Sequence, residues 1–341
     1  MSLPLSKKYS PMEAQPATEL PVGPEWQYEP KWDGFRCLAF RDASRVDLQS
    51  KSGKPLTRYF PELAAAIKGL KPDKFIIDGE IVMPKNGNLS FDDLLMRIHP
   101  AASRVLKLSK QSPCVFIVFD LLVDDKGRSL IKIPLRERRK ALEAFAHRFF
   151  DENATIRLSP VTDEIAIARK WFRMGLGLDG IIAKRTDLAY QTGERTGMQK
   201  IKKQRTADCV VGGFRYLEKK PLVGSLLLGL YNREGLLDHV GFCSSIHDEG
   251  RLPLTKRLEK MIEPPGFTGK APGGLSRWST KHSLEWEPLD NKLVAEVQFD
   301  HFTGGRFRHG TRFLRWRPEK RPRDCTMKQV LRENRSALGL L

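Results

Sequence analysis

The first two hundred residues alternate between two patterns of hydrophobic and polar positions. Runs rich in β-branched and aromatic residues, bounded by glycine, proline or charge, predict strands at 36–40, 75–82, 114–122 and 179–184. Apolar residues at helical spacing predict helices at 61–70, 91–98, 135–150 and 162–175. Thr162 and the two acidic residues after it suit the start of the last helix, since a hydroxyl caps free amides and acids favour the helix dipole. The alternation predicts an α/β (α+β) domain.

After about residue 205 the pattern changes to short strands. They are predicted at 207–216, 225–232, 239–244, 292–300 and 312–317, with one helix at 250–262 and a Gly/Pro-rich loop at 263–274. Several short strands with one helix predict a small β-barrel such as an OB-fold, a fold that commonly binds nucleic acid. We therefore expect one domain over 1–205, a second over 206–325 and a C-terminal tail over 326–341.

The N-terminal thirty residues are rich in proline and polar groups, which predicts an arm lying on the surface. No apolar run approaches the length of about 20 residues that spans a bilayer, and no secretory signal is recognisable. We therefore expect an intracellular protein of the cytosol or nucleoid, with no membrane partner. Five widely spaced cysteines without a CxxC pair predict reduced, structural thiols.

Charge narrows the class of partner. Lys and Arg number 59 against 41 Asp and Glu, which gives a formal net charge of +18. Such an excess favours polyanions, because lysine and arginine neutralise phosphates and steer association. Nucleic acid is the favoured partner, while a generally basic surface is the alternative.

Lys31 is the first candidate for chemistry. It lies in the segment EPKWDGFR, followed by Asp33 and Gly34. A lysine is a nucleophile only when its amine is neutral, which requires desolvation or nearby positive charge to lower its pKa. Lys200 and Lys202 alternate along a predicted strand, so both face one side and could lower that pKa. Taken alone, the segment also fits a surface turn with an ion pair between Lys31 and Asp33.

Other candidates lie near strand ends. The Asp78-Gly79-Glu80 segment is predicted to end one strand and Asp179 to begin another, where carboxylates could bind a divalent cation or a ribose. Phe119 is either a core residue or a platform for a purine ring. A basic segment near the C-terminus suits phosphate oxygens or forms a solvated stripe; it contains Arg315, Arg317 and Lys320.

The order of these segments resembles that of the covalent nucleotidyltransferase superfamily, and most closely the compact bacterial ATP-dependent DNA ligases of the LigC and LigD type. The segments that match are KWDG (31–34), SKSG (50–53), DGE (78–80), VFD (118–120), DGIIAK (179–184), KIK (200–202) and RWRPEK (315–320). The resemblance implies a nucleotidyltransferase (adenylation) domain followed by an OB-fold domain.

The resemblance also implies a role for each residue. Lys31 would form a covalent phosphoramidate with AMP. Glu29 and Phe119 would contact the adenine, and Arg36 and Glu80 the ribose. Lys51, Lys200 and Lys202 would contact the phosphates, and Asp179 with Glu80 would bind Mg²⁺ or Mn²⁺. Arg315, Arg317 and Lys320 would contact the pyrophosphate. Two positions depart from the family pattern. Lys51 stands where arginine is usual, which loses bidentate phosphate geometry, and Asp179 replaces a glutamate.

The implied activity is ATP-dependent sealing of 5′-phosphate/3′-hydroxyl nicks in duplex DNA, in repair or end joining. AMP would pass from ATP to lysine and then to the 5′-phosphate, which the 3′-hydroxyl attacks. We expect a monomer without an additional N-terminal DNA-binding domain, aided by repair or end-joining proteins. An RNA ligase or a GTP-using capping enzyme shares the lysine chemistry, and a non-catalytic DNA-binding protein is the alternative of a different class.

Overall fold

A computed structural model describes residues 3–151, 155–174, 178–273, 285–331 and 337–340. It divides into two compact units, one formed by residues 1–203 with 334–341 and the other by residues 204–333. Across the described residues, no helix combines the length and the apolar character needed to span a bilayer. All five cysteines are buried and free, as the sequence predicted.

The first unit contains eleven strands and five α-helices in its described part. The strands are β1 (Gln15–Ala17), β2 (Trp26–Lys31), β3 (Phe35–Asp42), β4 (Arg45–Ser50), β5 (Lys74–Val82), β6 (Pro84–Lys85), β7 (Asn88–Leu89), β8 (Val115–Val123), β9 (Ile156–Leu158), β10 (Gly180–Arg185) and β11 (Met198–Lys202). The helices are α1 (Pro61–Gly69), α2 (Phe91–Leu95), α3 (Ala102–Gln111), α4 (Leu135–Phe149) and α5 (Ile165–Met174).

Two mixed sheets organise this unit. One has the order β4-β3-β5-β8-β9 and the other the order β1-β11-β10-β2. Only β8 with β9 and β1 with β11 run parallel; the other pairs in these sheets are antiparallel. Apolar side chains of β3, β5 and β8 pack with α1 and α4 in the main core, while Trp26, Tyr28 and Ile181 of the other sheet pack with α5 in a separate core.

Two glycines allow backbones to approach closely beside the predicted site residues. A Cβ at Gly34 would collide with the carbonyl oxygen of Ile81 on β5. A Cβ at Gly180 would collide with the carbonyl oxygen of Ile201 on β11, and Gly180 also has a φ of +148°. Both positions therefore require glycine, because a neighbouring strand's backbone leaves no room for a side chain.

The structure corrects several predictions for this unit. The N-terminal segment is not entirely a surface arm, because its end forms β2, whose residues Trp26 to Pro30 are buried at the edge of a sheet. The Asp78-Gly79-Glu80 segment lies inside β5 and does not end it. Helix α2 ends at Leu95, before the predicted end at residue 98. The sequence analysis did not predict α3, which carries many charged residues, or β4, which is only half buried. Thr162 accepts a hydrogen bond from the Glu164 amide at 3.1 Å, just before α5.

The second unit is built on a six-stranded sheet with the order β14-β13-β12-β16-β19 and with β15 beside β12, while β17 and β18 pair with each other in a separate two-stranded sheet. The described strands of the unit are β12 (Arg205–Leu217), β13 (Lys220–Tyr231), β14 (Leu237–Cys243), β15 (Glu287–Pro288), β16 (Val294–Phe299), β17 (Phe302–Thr303), β18 (Arg306–Phe307) and β19 (Arg312–Trp316), and the described helix is α6 (Asp248–Glu259). This architecture fits an OB-fold domain, as predicted, but the described ladder does not close into a barrel. A single bridge joins Cys243 to Thr311 near its two ends.

Candidate active site

One cleft of about 200 Å³ in the first unit gathers most of the predicted site residues. It lies between the two sheets, because β2, β10 and β11 belong to one and β3, β5 and β8 to the other. The predicted residues that line it are Glu29, Lys31, Arg36, Lys51, Glu80, Phe119 and Lys200. Residues as distant in sequence as Glu29 and Lys200 thus share one pocket, which the sequence alone could not establish.

Lys31 is the last residue of β2 and forms an ion pair with Asp179. The register of β2 with β10 places Lys31 opposite Gly180, and the Asp179 amide donates to the Lys31 carbonyl at 3.0 Å. Burial alone would lower the Lys31 pKa, but the charge and hydrogen bond of Asp179, with Glu80 and Asp33 nearby, raise it above its usual value. The expectation of a lowered pKa is therefore wrong for this arrangement, because a carboxylate is nearer than the lysines.

Two carboxylates flank the Lys31 amine. Asp179 is buried and also pairs with Lys202 at 3.4 Å. Glu80 faces the cleft, and burial raises its pKa to about 7. No group of three or more potential metal ligands occurs in the described residues. Mg²⁺ commonly takes only one or two protein carboxylates together with water and phosphate oxygens, so Glu80 and Asp179 fit such an ion.

Glu29 and Lys184 form a buried pair that sequence reasoning identified only in part. Lys184 Nζ lies 2.8 Å from Glu29 Oε2, and Gln27 donates to Oε1 at 3.0 Å. Lys184 also lies over the Phe119 ring, 4.4 Å from its centroid. The sequence carried a signal for Lys184 in its place at the end of DGIIAK, but did not show that it pairs with Glu29 across β10 and β2.

Arg36 is held by a carboxylate at the floor of the cleft. It makes a two-pronged contact with the fully buried Asp78, at 2.6 and 2.7 Å. Tyr190 donates to the same carboxylate at 2.6 Å and accepts from the Met12 amide. The Arg36 guanidinium lies 4.5 Å from the centroid of the Phe119 ring. These contacts fix the orientation of Arg36 and place cations beside Phe119.

Lys51 and Lys200 supply positive charge to the same cleft. Lys51 is more than half exposed and pairs with Glu13 at 3.1 Å. Lys200 lies on β11 opposite Ile182, and burial, followed by the charges of Lys202 and Lys31, lowers its pKa. The cleft therefore has a cationic side that suits the phosphates of a nucleotide.

Arg315, Arg317 and Lys320 lie in the second unit and are engaged with carboxylates there. Arg315 contacts Glu296 at 2.6 Å, and Arg317 contacts Asp208 at 2.8 Å. Lys320 lies 3.8 Å from Asp208. Arg317 also reaches Glu296, so Arg315 and Arg317 meet the same carboxylate.

Comparison with known proteins decides the family. Residues 11–202 match the family model described as the ATP dependent DNA ligase domain, and residues 219–320 match the ATP dependent DNA ligase C terminal region. The chain belongs to the ATP-dependent DNA ligase family. The resemblance seen in the ordered sequence motifs is confirmed, and with it the prediction of an ATP-dependent ligase.

The similarity to named DNA ligases covers nearly all of this chain, and it extends over almost the whole of the DNA ligase C relatives but only part of LigD. DNA ligase C2 of Mycolicibacterium smegmatis is 43% identical, and the match covers 97% of this chain and 96% of that protein. The multifunctional non-homologous end joining protein LigD of Mycobacterium bovis is 32% identical over 87% of this chain but only 37% of its own length. A solved structure from a study of Lig E DNA ligases shares the fold, with a TM-score of 0.56, 15% identity and coverage of 90% and 99%.

Proposed function

We propose that the cleft of the first unit binds ATP and that Lys31 carries AMP as a covalent intermediate during the sealing of nicks in duplex DNA. The observation that carries this proposal is the position of the Lys31 amine, which lies in the cleft between Asp179 and Glu80 and beside the cationic side formed by Lys51 and Lys200. A lysine, two carboxylates and several cations are the groups that nucleotidyl transfer to an amine requires.

In the first step, the Lys31 nitrogen attacks the α-phosphorus of ATP. The new bond joins Nζ to phosphorus, and the bond to the bridging oxygen breaks as pyrophosphate leaves. The amine must first lose a proton, and Asp179 is the carboxylate closest to it. Lys51, Lys200 and Lys202 are assigned to the phosphates, where they offset negative charge that builds up as pyrophosphate departs.

The base and sugar are assigned to the floor of the cleft. Glu29, held by Lys184, has its carboxylate directed into the pocket and is proposed to read the adenine. Phe119 is proposed to stack with the ring, and Arg36 and Glu80 to contact the ribose. Because Arg36 and Lys184 already lie over Phe119, we expect the adenine to share that ring with a cation or to displace one.

A divalent cation, Mg²⁺ or Mn²⁺, would be held by Glu80 and Asp179 and would offset phosphate charge. Arg315, Arg317 and Lys320 are assigned to the pyrophosphate.

We further propose an adenylation domain over 1–205, an OB-fold domain over 206–325 and a tail over 326–341. The later steps transfer AMP to the 5′-phosphate of a nick and let the 3′-hydroxyl displace it. The name of the LigD relative, a non-homologous end joining protein, supports a role in end joining. We also propose that the protein acts as a monomer, because one nick presents one substrate.

The test is the intact mass of the full chain after incubation with ATP and Mg²⁺ or Mn²⁺. We expect the wild type to gain one AMP and Lys31→Ala to gain none, because no other amine occupies that position. Lys54→Ala removes an exposed lysine close to the cleft and is the matched control, expected to keep the adduct. A nicked duplex carrying a 5′-phosphate is then used to follow sealing.

Two outcomes would contradict the proposal. One is an AMP adduct that persists in Lys31→Ala, which would place the nucleophile elsewhere. The other is an adduct from GTP but not from ATP, which would favour a capping-type transferase. Protein is treated with pyrophosphate beforehand, so that AMP already attached does not hide the reaction.

A further inference from the structure

The short loop after β2 carries a buried tryptophan next to the proposed nucleophile. Only residues 32–34 separate Lys31, the end of β2, from Phe35, the start of β3. β2 belongs to one sheet of the first unit and β3 to the other, so this loop joins the two walls of the cleft. Trp32 is the first residue of the loop and is only 4% exposed. A large side chain is therefore buried where the two walls meet.

The polar end of the Trp32 side chain is held by a hydrogen bond. Its Nε1 donates to the hydroxyl of Ser159 at 3.0 Å. Ser159 is fully buried; its amide donates to the Val118 carbonyl on β8 at 2.8 Å, and its carbonyl accepts from Arg139 on α4 at 2.9 Å. A buried indole N–H requires an acceptor, so the bond to Ser159 selects one orientation of the ring. Trp32 is thus connected to β8 and α4.

The apolar part of the Trp32 side chain packs between residues of the two sheets. The Trp32 cluster consists of four buried side chains: Trp32, Val82, Ile117 and Leu178. Val82 on β5 and Ile117 on β8 belong to one sheet, whereas Leu178 lies two residues before β10 of the other. Protein interiors are packed as densely as organic crystals, so large side chains in contact resist a change in their spacing. The cluster fixes the separation of the two sheets at this point.

Two of the proposed catalytic residues are neighbours of cluster members along the chain. Lys31 precedes Trp32, and Asp179 follows Leu178. The backbones of the two segments also meet, since the Asp179 amide donates to the Lys31 carbonyl at 3.0 Å. The packing of Trp32 with Leu178 therefore acts on the same two segments as the ion pair between Lys31 and Asp179.

Glu80 reaches the cleft from the opposite wall. Val82 lies two residues further along β5, and Ile117 lies opposite Glu80 in the antiparallel pairing with β8. All three side chains therefore point to the same face of their sheet. That face carries the Glu80 carboxylate in the cleft and continues as the surface that packs with Trp32. The distance from Glu80 to the pair formed by Lys31 and Asp179 thus depends on Trp32.

From this geometry, we propose that Trp32 is a positioning residue for nucleotidyl transfer, which sets the spacing between Lys31 with Asp179 on one wall and Glu80 on the other. The inference rests on the proposed function and deepens it, because the amine and the carboxylates come from different sheets. Trp32 itself takes no part in making or breaking bonds. Its importance follows from the steep dependence of rate on alignment, since a displacement of about 1 Å can cost about 100-fold.

The experiment follows lysyl-AMP formation by the full chain as a time course of intact mass, over a series of ATP concentrations with Mg²⁺. The rate constant is the decisive quantity, because a loss of folded protein lowers the amplitude instead. At saturating ATP, we expect Trp32→Leu to lower the rate constant about 100-fold. Ser159→Ala keeps the packing and loses only the hydrogen bond, so we expect a loss of about tenfold. Trp32→Phe keeps a ring in the cluster and is expected to be less impaired than Trp32→Leu.

Trp26→Leu is the matched control. Trp26 begins the same strand, is 8% exposed and packs with α5 in a separate core, without lining the cleft. We expect this variant to lose amplitude but to keep the wild-type rate constant. An equal fall of the rate constant in Trp26→Leu would overturn the proposal, because the effect would then reflect general damage to the first unit. Where Trp32→Leu yields no folded protein, Trp32→Phe and Ser159→Ala decide.

The ATP dependence distinguishes positioning from ATP binding. The groups assigned to the base and the phosphates are unaltered, so we expect the ATP concentration for half-maximal rate to change less than about threefold in Trp32→Leu. A large rise of that concentration with an unchanged maximal rate would make Trp32 an ATP-binding residue and overturn the proposal.

The wild type separates this inference from the proposed function of the cleft. If the wild type forms no adduct, the function of the cleft is refuted, and the role of Trp32 with it. If the wild type forms the adduct and the variants of Trp32 and Ser159 form it with the same rate constant, only the role of Trp32 is refuted.

Discussion

The cleft of the first unit and the contact between Arg306 and His239 in the second unit hold positive charge in different ways. In the cleft, Lys31, Arg36 and Lys184 each face a carboxylate, on Asp179, Asp78 and Glu29 respectively. In the second unit, Arg306 on β18 lies 2.7 Å from Nδ1 of the buried His239 ring, and no carboxylate among the described residues pairs with it. Ion pairs fix the cations of the cleft, whereas a histidine ring positions Arg306.

The difference concerns how each region fixes its cations. A nucleotide in the cleft has many distinct groups, so its binding side chains need fixed directions, and buried ion pairs provide them at a cost in desolvation. The position of Arg306 depends instead on the His239 ring and on the pairing of β17 with β18. Breaking the pairs of the cleft and titrating His239 test this contrast.

The largest expected effect is on a buried pair of the cleft. Asp78→Ala leaves the Arg36 guanidinium without its carboxylate and removes the acceptor of the Tyr190 hydroxyl. Because Arg36 would be a buried charge without compensation, we expect a loss of about 3–5 kcal/mol in the free energy of unfolding. Urea denaturation measures it.

The matched control is Asp187→Ala. Asp187 makes the same two-pronged contact with Arg185, at 2.8 and 2.7 Å, but both side chains are about one-third exposed. We expect a loss below about 1 kcal/mol, because water screens the exposed pair. Equal losses in the two variants would mean that burial does not distinguish them.

A smaller effect concerns the pH dependence of stability at His239. The His239 pKa is lowered to about 3 in the folded protein, whereas an unfolded histidine has a pKa of about 6.5. Burial lowers this pKa most, followed by the charges of Arg306 and Arg215, while a backbone hydrogen bond at Gly241 opposes the shift. Between these values the unfolded chain binds the proton first, so the free energy of unfolding falls as the pH drops below about 6.5, by up to about 1.4 kcal/mol per pH unit.

Urea denaturation at pH 7, 6 and 5 tests this, with His239→Gln as the variant. We expect the variant to lose less stability than the wild type between pH 6 and 5. His147→Gln changes an exposed residue of α4 and is expected to keep the wild-type pH dependence. Parallel pH profiles of the wild type and His239→Gln would refute the expectation that His239 is held neutral.

The smallest effect is on metal dependence in the cleft. Asp179→Glu adds one methylene to a carboxylate that pairs with Lys31 and Lys202. The longer side chain changes the distance between the two proposed metal ligands, so we expect the Mg²⁺ and Mn²⁺ concentrations for half-maximal lysyl-AMP formation to shift a few-fold. Asp163→Glu, at an exposed position before α5, serves as the control. Unchanged metal titrations in Asp179→Glu would contradict the assignment of Asp179 to the metal.

Elements with a strong local pattern were predicted close to their observed bounds. Strand β8 and helix α4 each lie within two residues of the predicted ranges, since long apolar runs and regular helical spacing are local properties. β2 was missed because its burial comes from pairing with β10 and packing against α5, which are distant in sequence. Proline and polar residues before it obscured the strand.

The residues of the cleft were predicted from ordered motifs, but their partners were not. The motifs indicated Lys31 and Arg36, whereas the pairing of Arg36 with Asp78 depends on the neighbouring strands β3 and β5. Asp78 also accepts a hydrogen bond from Tyr190, which lies in a loop 112 residues further along the chain. The direction of the Lys31 pKa was predicted wrongly for the same reason. Which charge lies nearest to an amine depends on strand register, and register is set by long-range packing.

The sequence by itself determined the family, the order of its functional segments and the basic character that favours a polyanion, because residue type, spacing and net charge are written along the chain. Tertiary structure alone decided that Lys184 holds Glu29, that Asp179 holds Lys31, and that Arg306 meets His239 from another strand. Hydrogen bonds and ion pairs act over a few ångströms, so they depend on which distant segments folding brings into contact.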